Sequence, residues 1–146
     1  MTLAITSTAF AHNESIPKKY TCQGEDINPP FDIVGIPEGC KSLVLIHDDP
    51  DAPMGIWDHW IMWNIKPIDH IEEHSVPERA IQGTNSWGRR DYGGPCPPDG
   101  EHRYFFKLYA LDVELDLTEG DKAAVMQAIE RHILEETELI GLYCKS

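Results

Sequence analysis

The stretch KSLVLIHDDPDAPMGIWDHWIMWNI, residues 41–65, contains two apolar runs separated by the densest group of ionisable side chains in the chain. The runs 41–47 and 59–65 are short and rich in β-branched or aromatic residues, which is typical of buried strands. Pro50 and Pro53 fix the backbone between them, so the intervening carboxylates are held in a stiff turn. We therefore expect two buried strands with rigid acidic groups where the first strand ends.

Alternation of side chains along a strand predicts which residues share a face. In the second run, His59 is expected on the same face as Ile61 and Trp63. A third strand is predicted from HRYFFKLYALDVEL, residues 102–115, where His102 and Tyr104 lie two positions apart. The alternation therefore places these last two polar side chains side by side.

One helix is expected near the C-terminus, within LTEGDKAAVMQAIERHILEE at residues 117–136. Apolar residues including Ile129 and Ile133 recur there at helical spacing, and Thr118 is the expected N-cap. A short strand at 138–145 follows the helix. The remaining segments are rich in Gly and Pro, which favours turns and short edge strands.

The composition is that of a globular protein. The 146 residues are 41% apolar and 25% charged, and no repeat or linker divides them, so we expect a single domain over residues 1–146. The formal net charge is −13, which repels phosphodiester backbones and anionic lipid surfaces. Charge therefore argues against nucleic acid as a partner.

The cysteines and the absence of long apolar stretches predict a cytoplasmic protein. Cys22, Cys40, Cys96 and Cys144 are scattered, which suits neither a zinc ribbon nor a disulfide framework, so we expect four free thiols. Only Cys96, in a Gly/Pro loop, merits a test of reactivity. The start MTLAITSTAF lacks the pattern of a secretory signal, and no stretch approaches the ~20 apolar residues of a membrane span. We expect no stable membrane insertion.

The acidic stretch has four interpretations when considered alone. It is a solvated turn, one wall of a ligand pocket, an acid/base pair or a metal site. Imidazole and carboxylate ligands for a metal are available from His47, Asp49, Asp51, His59 and His102. Their spacing matches no known metal motif, and no G-x-S-x-G nucleophile motif is present. We therefore expect no metal, no cofactor and no catalytic residue.

A second group of polar residues lies in GGPCPPDGEHRY, residues 93–104. Gly93 and Gly94 lack a Cβ, so their backbone N–H groups are open to an anion. The side chains of His102 and Tyr104 both donate hydrogen bonds that suit an oxyanion. The alternative is a hairpin connection that contains a buried core histidine.

These motifs together resemble the phosphatidylethanolamine-binding protein family, which includes the Raf kinase inhibitor proteins. The similarity rests on DPDAP followed by HW, and on GGPCPPDGEHRY. It extends to IPKKYTCQGEDINPPF, GTNSWGRRDYGGPCPP, LYALDVELDL and AIERHILEETELIGLY, and so covers nearly the entire chain. The pattern is similar to that of the bacterial and archaeal branch.

The resemblance implies a mainly β fold in which a large antiparallel sheet packs on a smaller one, with peripheral helices including one near the C-terminus. It also implies a small anion pocket at one end of the sheet. The implied ligand-binding residues are Asp49, Asp51, His59, Gly94, Pro95, His102 and Tyr104. His47 departs from the family, where an aliphatic residue is expected, and is either a core histidine or an addition to the pocket.

The function expected from these residues is non-catalytic binding of phosphate or a phosphorylated headgroup such as phosphoethanolamine. The Gly94 N–H and the two histidines would hold the phosphate, while Asp49 and Asp51 would orient the imidazoles and favour their charged form. The alternative is an interaction module that inhibits a kinase or a serine protease, and a metal-dependent hydrolase is a third hypothesis. The expected partners are a small anionic ligand, a protein such as a kinase or protease, and a second copy in a homodimer.

Overall fold

The structure is a computed structural model that describes residues 2–145. Its strands form two sheets, and one α-helix and one 3-10 turn (Lys18–Tyr20) accompany them. In chain order the elements are β1 (Ala4–Thr6), β2 (Glu14–Ser15), β3 (Phe31–Val34), β4 (Ser42–Asp49), β5 (Trp57–Ile65), β6 (His70–Ile71), β7 (Ile81–Gln82), β8 (His102–Leu111), α1 (Lys122–Ile129) and β9 (Ile133–Tyr143). The fold is mainly β, as predicted.

The large sheet has six strands in the order β2-β9-β8-β4-β5-β7, and the small sheet has the order β1-β3-β6. Neighbouring strands are antiparallel, apart from the short β2, which pairs in parallel with β9. The three predicted long strands correspond to β4, β5 and β8, which lie side by side. The acidic turn after β4 and the start of β8 therefore meet at one end of the large sheet.

Two cores bury the two faces of the large sheet. All eight residues of β4 are buried, as its apolar run predicts. The core between the sheets includes Leu43, Leu45, Phe31 and Ile33. The core between the large sheet and α1 includes Val44, Ile46, Val125 and Ile129.

A β-bulge in β5 corrects the predicted orientation of His59. His47 pairs with Trp60, and the register between β4 and β5 then shifts, which leaves His59 as an extra residue. Its ring lies 4.8 Å from that of His47, on the face toward the small sheet. The prediction that His59 shares a face with Ile61 and Trp63 is wrong, because a bulge places two consecutive side chains on one side.

The predicted helix begins too early and ends too late. Its N-cap is Asp121 rather than Thr118, and the Asp121 carboxylate accepts from the Ala124 N–H at 3.0 Å. Ile133, assigned to the helix, begins β9 instead. Pairing with β8 stabilises the extended form of residues that also fit a helical pattern.

Two acidic residues of the stretch 41–65, Asp48 and Asp58, lie on the side of the large sheet that carries α1. The Lys122 Nζ of α1 lies 3.3 Å from Asp48 Oδ2 and 2.7 Å from Asp58 Oδ1. Lys107 adds a second cation, 3.2 Å from Asp48. These charges compensate a carboxylate that is almost fully buried, and they hold α1 against β4 and β5.

None of the helices among residues 2–145 has the length and hydrophobicity to cross a membrane.

Candidate functional site

A pocket of about 400 Å³ lies at the end of the large sheet where β4 ends and β8 begins. It brings together five of the seven predicted site residues, although they are far apart in the chain. They are Asp49 from β4, His59 from the bulge of β5, Gly94 from the Gly/Pro loop, and His102 and Tyr104 from β8. The alternation predicted for β8 is confirmed, since the His102 and Tyr104 rings lie 6.3 Å apart.

Both histidines of the pocket are oriented through Nδ1. The His102 Nδ1–H donates to Asp49 Oδ2 at 2.7 Å. The His59 Nδ1 lies 2.8 Å from the Gly93 carbonyl oxygen, and because a carbonyl only accepts, this nitrogen carries the proton. In each ring Nε2 is therefore the nitrogen that remains for a ligand.

Burial sets the protonation of His59. Removal from solvent lowers the pKa of the His59 imidazole, and this effect outweighs the Gly93 carbonyl and the Asp49 carboxylate, which act in the opposite direction. The Asp49 carboxylate favours the charged form of this ring, as expected, but burial has the larger effect. In the free protein His59 is neutral at neutral pH, so its Nε2 is an acceptor.

The Tyr104 hydroxyl is a buried donor without a hydrogen-bond partner in the described part of the chain. Burial raises the pKa of this phenol, and the nearby Asp49 carboxylate raises it further. Tyr104 therefore keeps its proton. A buried hydroxyl gains stability only when it is paired, which makes this atom a candidate contact for a ligand.

Asp51 does not line the pocket. Its carboxylate accepts from Arg103 Nε at 3.0 Å and Nη2 at 2.9 Å, and from the Arg103 backbone N–H at 2.9 Å. The hydrogen bonds from the Arg103 side chain lower the pKa of Asp51 to about 2. The expectation that Asp51 orients an imidazole is therefore wrong, since its carboxylate stabilises the turn after β4.

The Gly94 N–H is not open to an anion, because it donates to Asp26 Oδ1 at 2.8 Å. The Gly93 N–H is also occupied, by the His59 carbonyl oxygen at 3.2 Å. The predicted backbone anion site is therefore wrong. Gly94 is required for close approach instead, since a Cβ there would lie 2.3 Å from the Tyr20 carbonyl oxygen.

Pro95 does not line the cavity, but it packs behind the residues that do. It is buried, and its carbonyl oxygen accepts from the Cys22 N–H at 3.1 Å. This bond joins the loop at 93–98 to the turn at 21–26. Pro95 therefore supports the pocket and contacts no space that a ligand would fill.

The loop at 93–98 and the turn at 21–26 are also joined covalently, by a disulfide between Cys22 and Cys96. The two residues are 74 positions apart in sequence, and the packing of the two segments brings them together. The prediction of four free thiols is wrong for this pair. Cys40 and Cys144 are free.

Among the pocket residues that sequence reasoning missed are the charged and indole side chains of Asp26, Trp57, Trp87 and Arg89. The Arg89 guanidinium lies 5.1 Å from the Trp87 ring and pairs with Asp91 at 3.1 Å. The Trp57 Nε1–H is buried and has no partner among residues 2–145. The adjacent Arg89 and Arg90, which precede the Gly-rich loop in an otherwise acidic chain, are the sequence feature that could have predicted a basic group at the pocket.

His47 lies behind the wall. Its ring stacks on that of Phe106 at 4.0 Å, and neither ring nitrogen has a hydrogen-bond partner within the described chain. Complete burial lowers the pKa of His47 well below its usual range, and the nearby His59 lowers it further. His47 is therefore a neutral core histidine.

One interpretation of the acidic stretch is a metal centre. The residues named as ligand candidates are His47, Asp49, Asp51, His59 and His102. Across residues 2–145, no group of three or more His, Cys, Asp or Glu side chains is placed to hold a metal ion. In this fold His47 stacks in the core and Asp51 binds Arg103.

Comparison with known proteins identifies curated relatives that share about half of their aligned residues with this chain. A UPF0098 protein of Methanothermobacter thermautotrophicus is 50% identical over 142 residues, covering 92% of this chain and 94% of the relative. A UPF0098 protein of Archaeoglobus fulgidus is 49% identical over 148 residues, covering 95% of this chain. The chain spans only half the length of the Archaeoglobus protein.

Solved structures share the fold throughout. A phosphatidylethanolamine-binding protein homologue from Chlamydia trachomatis superposes with a TM-score of 0.96 and 43% identity, covering 99% of both chains. Escherichia coli YbcL, described as a member of the mammalian family, has a TM-score of 0.92 and 27% identity over the whole of both chains. Residues 6–144 match the family described as phosphatidylethanolamine-binding protein. The chain therefore belongs to the phosphatidylethanolamine-binding protein family.

Proposed function

We propose that this protein is a non-catalytic binding protein whose pocket takes phosphate or a phosphorylated headgroup such as phosphoethanolamine. The observation that carries the proposal is the convergence of three groups on one cavity. His59 and His102 are fixed through Nδ1, and the buried Tyr104 hydroxyl has no partner among the described residues. A ligand rich in acceptor oxygens accepts from the Tyr104 hydroxyl, and from each imidazole once the ring takes up a proton at Nε2.

The charges around the pocket favour a zwitterion. A phosphate accepts from Tyr104, from Arg89 at the wall and from a protonated His102. An ammonium group needs an anionic partner, and both oxygens of Asp49 already accept hydrogen bonds, from His102 and from the Asp51 N–H. Asp26 is the remaining carboxylate of the wall, with one oxygen on Gly94. We assign the ammonium to Asp26.

The chemistry of the wall supports binding rather than catalysis. The residues that line the described pocket include no Ser, Thr or Lys, and its two cysteines are joined in the disulfide. A covalent mechanism needs a nucleophile within reach of a base. Among the residues that line the described pocket, His59 and His102 have no Ser, Thr or Lys side chain and no free thiol beside them.

Replacing Tyr104 by phenylalanine is expected to weaken phosphoethanolamine binding while leaving the fold at least as stable. The hydroxyl is unpaired in the free protein, so its removal relieves a buried polar atom, whereas in the complex it removes a hydrogen bond worth about 0.5–1.5 kcal/mol. Calorimetric titration and thermal unfolding measure the two effects. Unchanged affinity, or an equal loss of stability and affinity, would contradict the role of this hydroxyl.

A second candidate function is inhibition of a kinase or a serine protease. The observation that favours it is an exposed apolar rim beside the pocket, formed by Met54, which is 96% exposed, Ile56, which is 56% exposed, and Trp87. Such rims are typical of protein-binding surfaces. Capture of partners by the wild type and by a Met54→Ser, Ile56→Ser variant tests it, and light scattering identifies a homodimer formed through the same rim.

We propose the cytoplasm as the location. The exposed free thiol of Cys144 suits a reducing compartment. Alkylation of thiols at the moment of cell lysis, followed by mass spectrometry, tests whether Cys144 is free in the cell.

A further inference from the structure

The disulfide is placed where a dissolved molecule reaches it. Cys22 is exposed and Cys96 is partly exposed, and both line the pocket. Exposed disulfides exchange with thiols more readily than buried structural ones. A small thiol that enters the pocket therefore meets the sulfur atoms directly.

The same bond couples the pocket to the loop that closes one side of it. Three hydrogen bonds already join the loop to residues 20–26: from the Cys22 N–H to Pro95, from Gly94 to Asp26, and from the Tyr92 hydroxyl to the Tyr20 carbonyl. They attach the loop as far as residue 95, and the disulfide attaches the next residue. Cys96 and Tyr104 line the same pocket. Loss of the bond therefore frees a part of the loop that shares the pocket with the Tyr104 hydroxyl.

We propose that Cys22–Cys96 is a thiol–disulfide exchange site for small thiols and that its reduction weakens anion binding in the pocket. The second half of this inference rests on the proposed function. The thiolate of a small thiol RSH attacks the Cys22 sulfur, the Cys22–Cys96 bond breaks, and the Cys96 thiolate leaves and takes up a proton. A second RSH attacks the mixed disulfide, which releases RSSR and the Cys22 thiol. Two RSH are oxidised to RSSR while the protein disulfide is reduced to two thiols.

The expected effect on binding follows from preorganisation. With the disulfide formed, the wall beside Tyr104 is in place before the ligand arrives. In the reduced protein the loop after Pro95 has to be ordered by the ligand, and ordering of a few side chains lowers affinity by about tenfold. The hydrogen bonds up to Pro95 persist, so the reduced protein keeps a weaker site.

The experiment compares four forms of the full chain by calorimetric titration with phosphoethanolamine. They are the oxidised wild type, the wild type reduced by 2-mercaptoethanol, the Cys22→Ser, Cys96→Ser variant, and a control, Cys40→Ser, Cys144→Ser, which retains the pocket disulfide. Intact mass after alkylation counts the thiols released at each concentration of 2-mercaptoethanol, with the protein kept folded. Reduction of the wild type tests the same bond without substitution, should the double variant fail to fold.

We expect two thiols to appear under native conditions and both forms that lack the disulfide to bind about tenfold more weakly than the control. A disulfide that reacts only after denaturation overturns the exchange site. Equal affinity of oxidised and reduced protein overturns the coupling. If no form binds phosphoethanolamine, the proposed function fails, and the thiol count still decides the exchange site.

Discussion

The His102→Ala protein is expected to bind phosphoethanolamine about ten- to a hundredfold more weakly than the wild type, because a hydrogen bond to a charged group contributes roughly 1.5–3 kcal/mol. The His102 Nδ1–H donates to Asp49 at 2.7 Å, so Nε2 is the nitrogen that is available to the ligand. Alanine removes this contact without removing Tyr104 or His59. Calorimetric titration measures the loss.

The same geometry fixes the sign of the pH dependence. With Nδ1 protonated, Nε2 of a neutral His102 ring is an acceptor, and it donates to a phosphate oxygen only after the ring takes up a proton. Burial lowers the pKa of His59, so this ring is neutral before the anion binds. The bound negative charge favours the protonated ring, which takes up its proton from solution. Binding coupled to proton uptake weakens as pH rises. We expect tighter binding at pH 6 than at pH 8, and a flatter profile for His102→Ala.

Matched variants separate the pocket from its surroundings. Asp49→Asn should weaken binding, because the His102 ring loses the carboxylate that orients its Nδ1–H. Asp112→Asn is the matched control, since Asp112 is exposed and pairs with His132 away from the pocket. His132→Ala is a second control, because it removes the other partner of that pair. Equal affinity of His102→Ala and wild type would place the anion elsewhere.

Replacing His47 by leucine is expected to stabilise the protein, most strongly in acid. Both ring nitrogens are buried without a partner among residues 2–145, and an unpaired buried polar group costs about 1–3 kcal/mol. Leucine has a similar volume, so the core between Phe106 and His59 stays filled. Urea unfolding at a series of pH values measures the free energy of unfolding of both proteins.

The sign follows from the lowered pKa of His47. The unfolded chain carries a histidine with a pKa of about 6.5, whereas the folded chain holds this ring neutral to much lower pH. Below pH ~6.5 the unfolded state therefore binds more protons, and wild-type stability falls as pH falls. The leucine variant lacks this proton uptake, so its advantage should be larger at pH 5 than at pH 8.

His132→Leu provides the control, because it removes an exposed histidine and leaves the core unchanged. We expect its stability to follow the wild type with pH. A His47→Leu protein that is less stable than the wild type at pH 5 would mean that His47 has a buried partner, such as an ordered water, that compensates its burial.

The sequence predicts the strands of the site because each depends on local pattern. The apolar run of β4 and the alternation of His102 and Tyr104 are properties of single segments. The position of His59 depends on the register of two strands, and the bulge that rotates it into the pocket left no local signal. The predicted C-terminal end of the helix was also wrong, because the residues from Ile133 onward form β9 instead.

Tertiary packing decides what sequence could not. Asp51 and Gly94 were chosen for groups that look free along the chain, but Arg103 and Asp26 occupy those groups. The disulfide between Cys22 and Cys96 is hidden for the same reason, since the pairing depends on two loops meeting. Residues whose neighbours come from another segment are therefore the ones that sequence reasoning misassigned.

The central claim is that phosphate binds at Nε2 of His59 and His102, and imidazole ¹⁵N NMR tests it residue by residue. Phosphoethanolamine is titrated into ¹⁵N-histidine-labelled protein. We predict that the Nε2 resonances of these two rings shift toward their protonated positions in a saturable manner. The resonances of the exposed rings of His12, His70 and His74, and of the half-exposed ring of His132, should not shift. Shifts confined to the exposed histidines, or no shift of His59 and His102 at saturating ligand, would contradict the account.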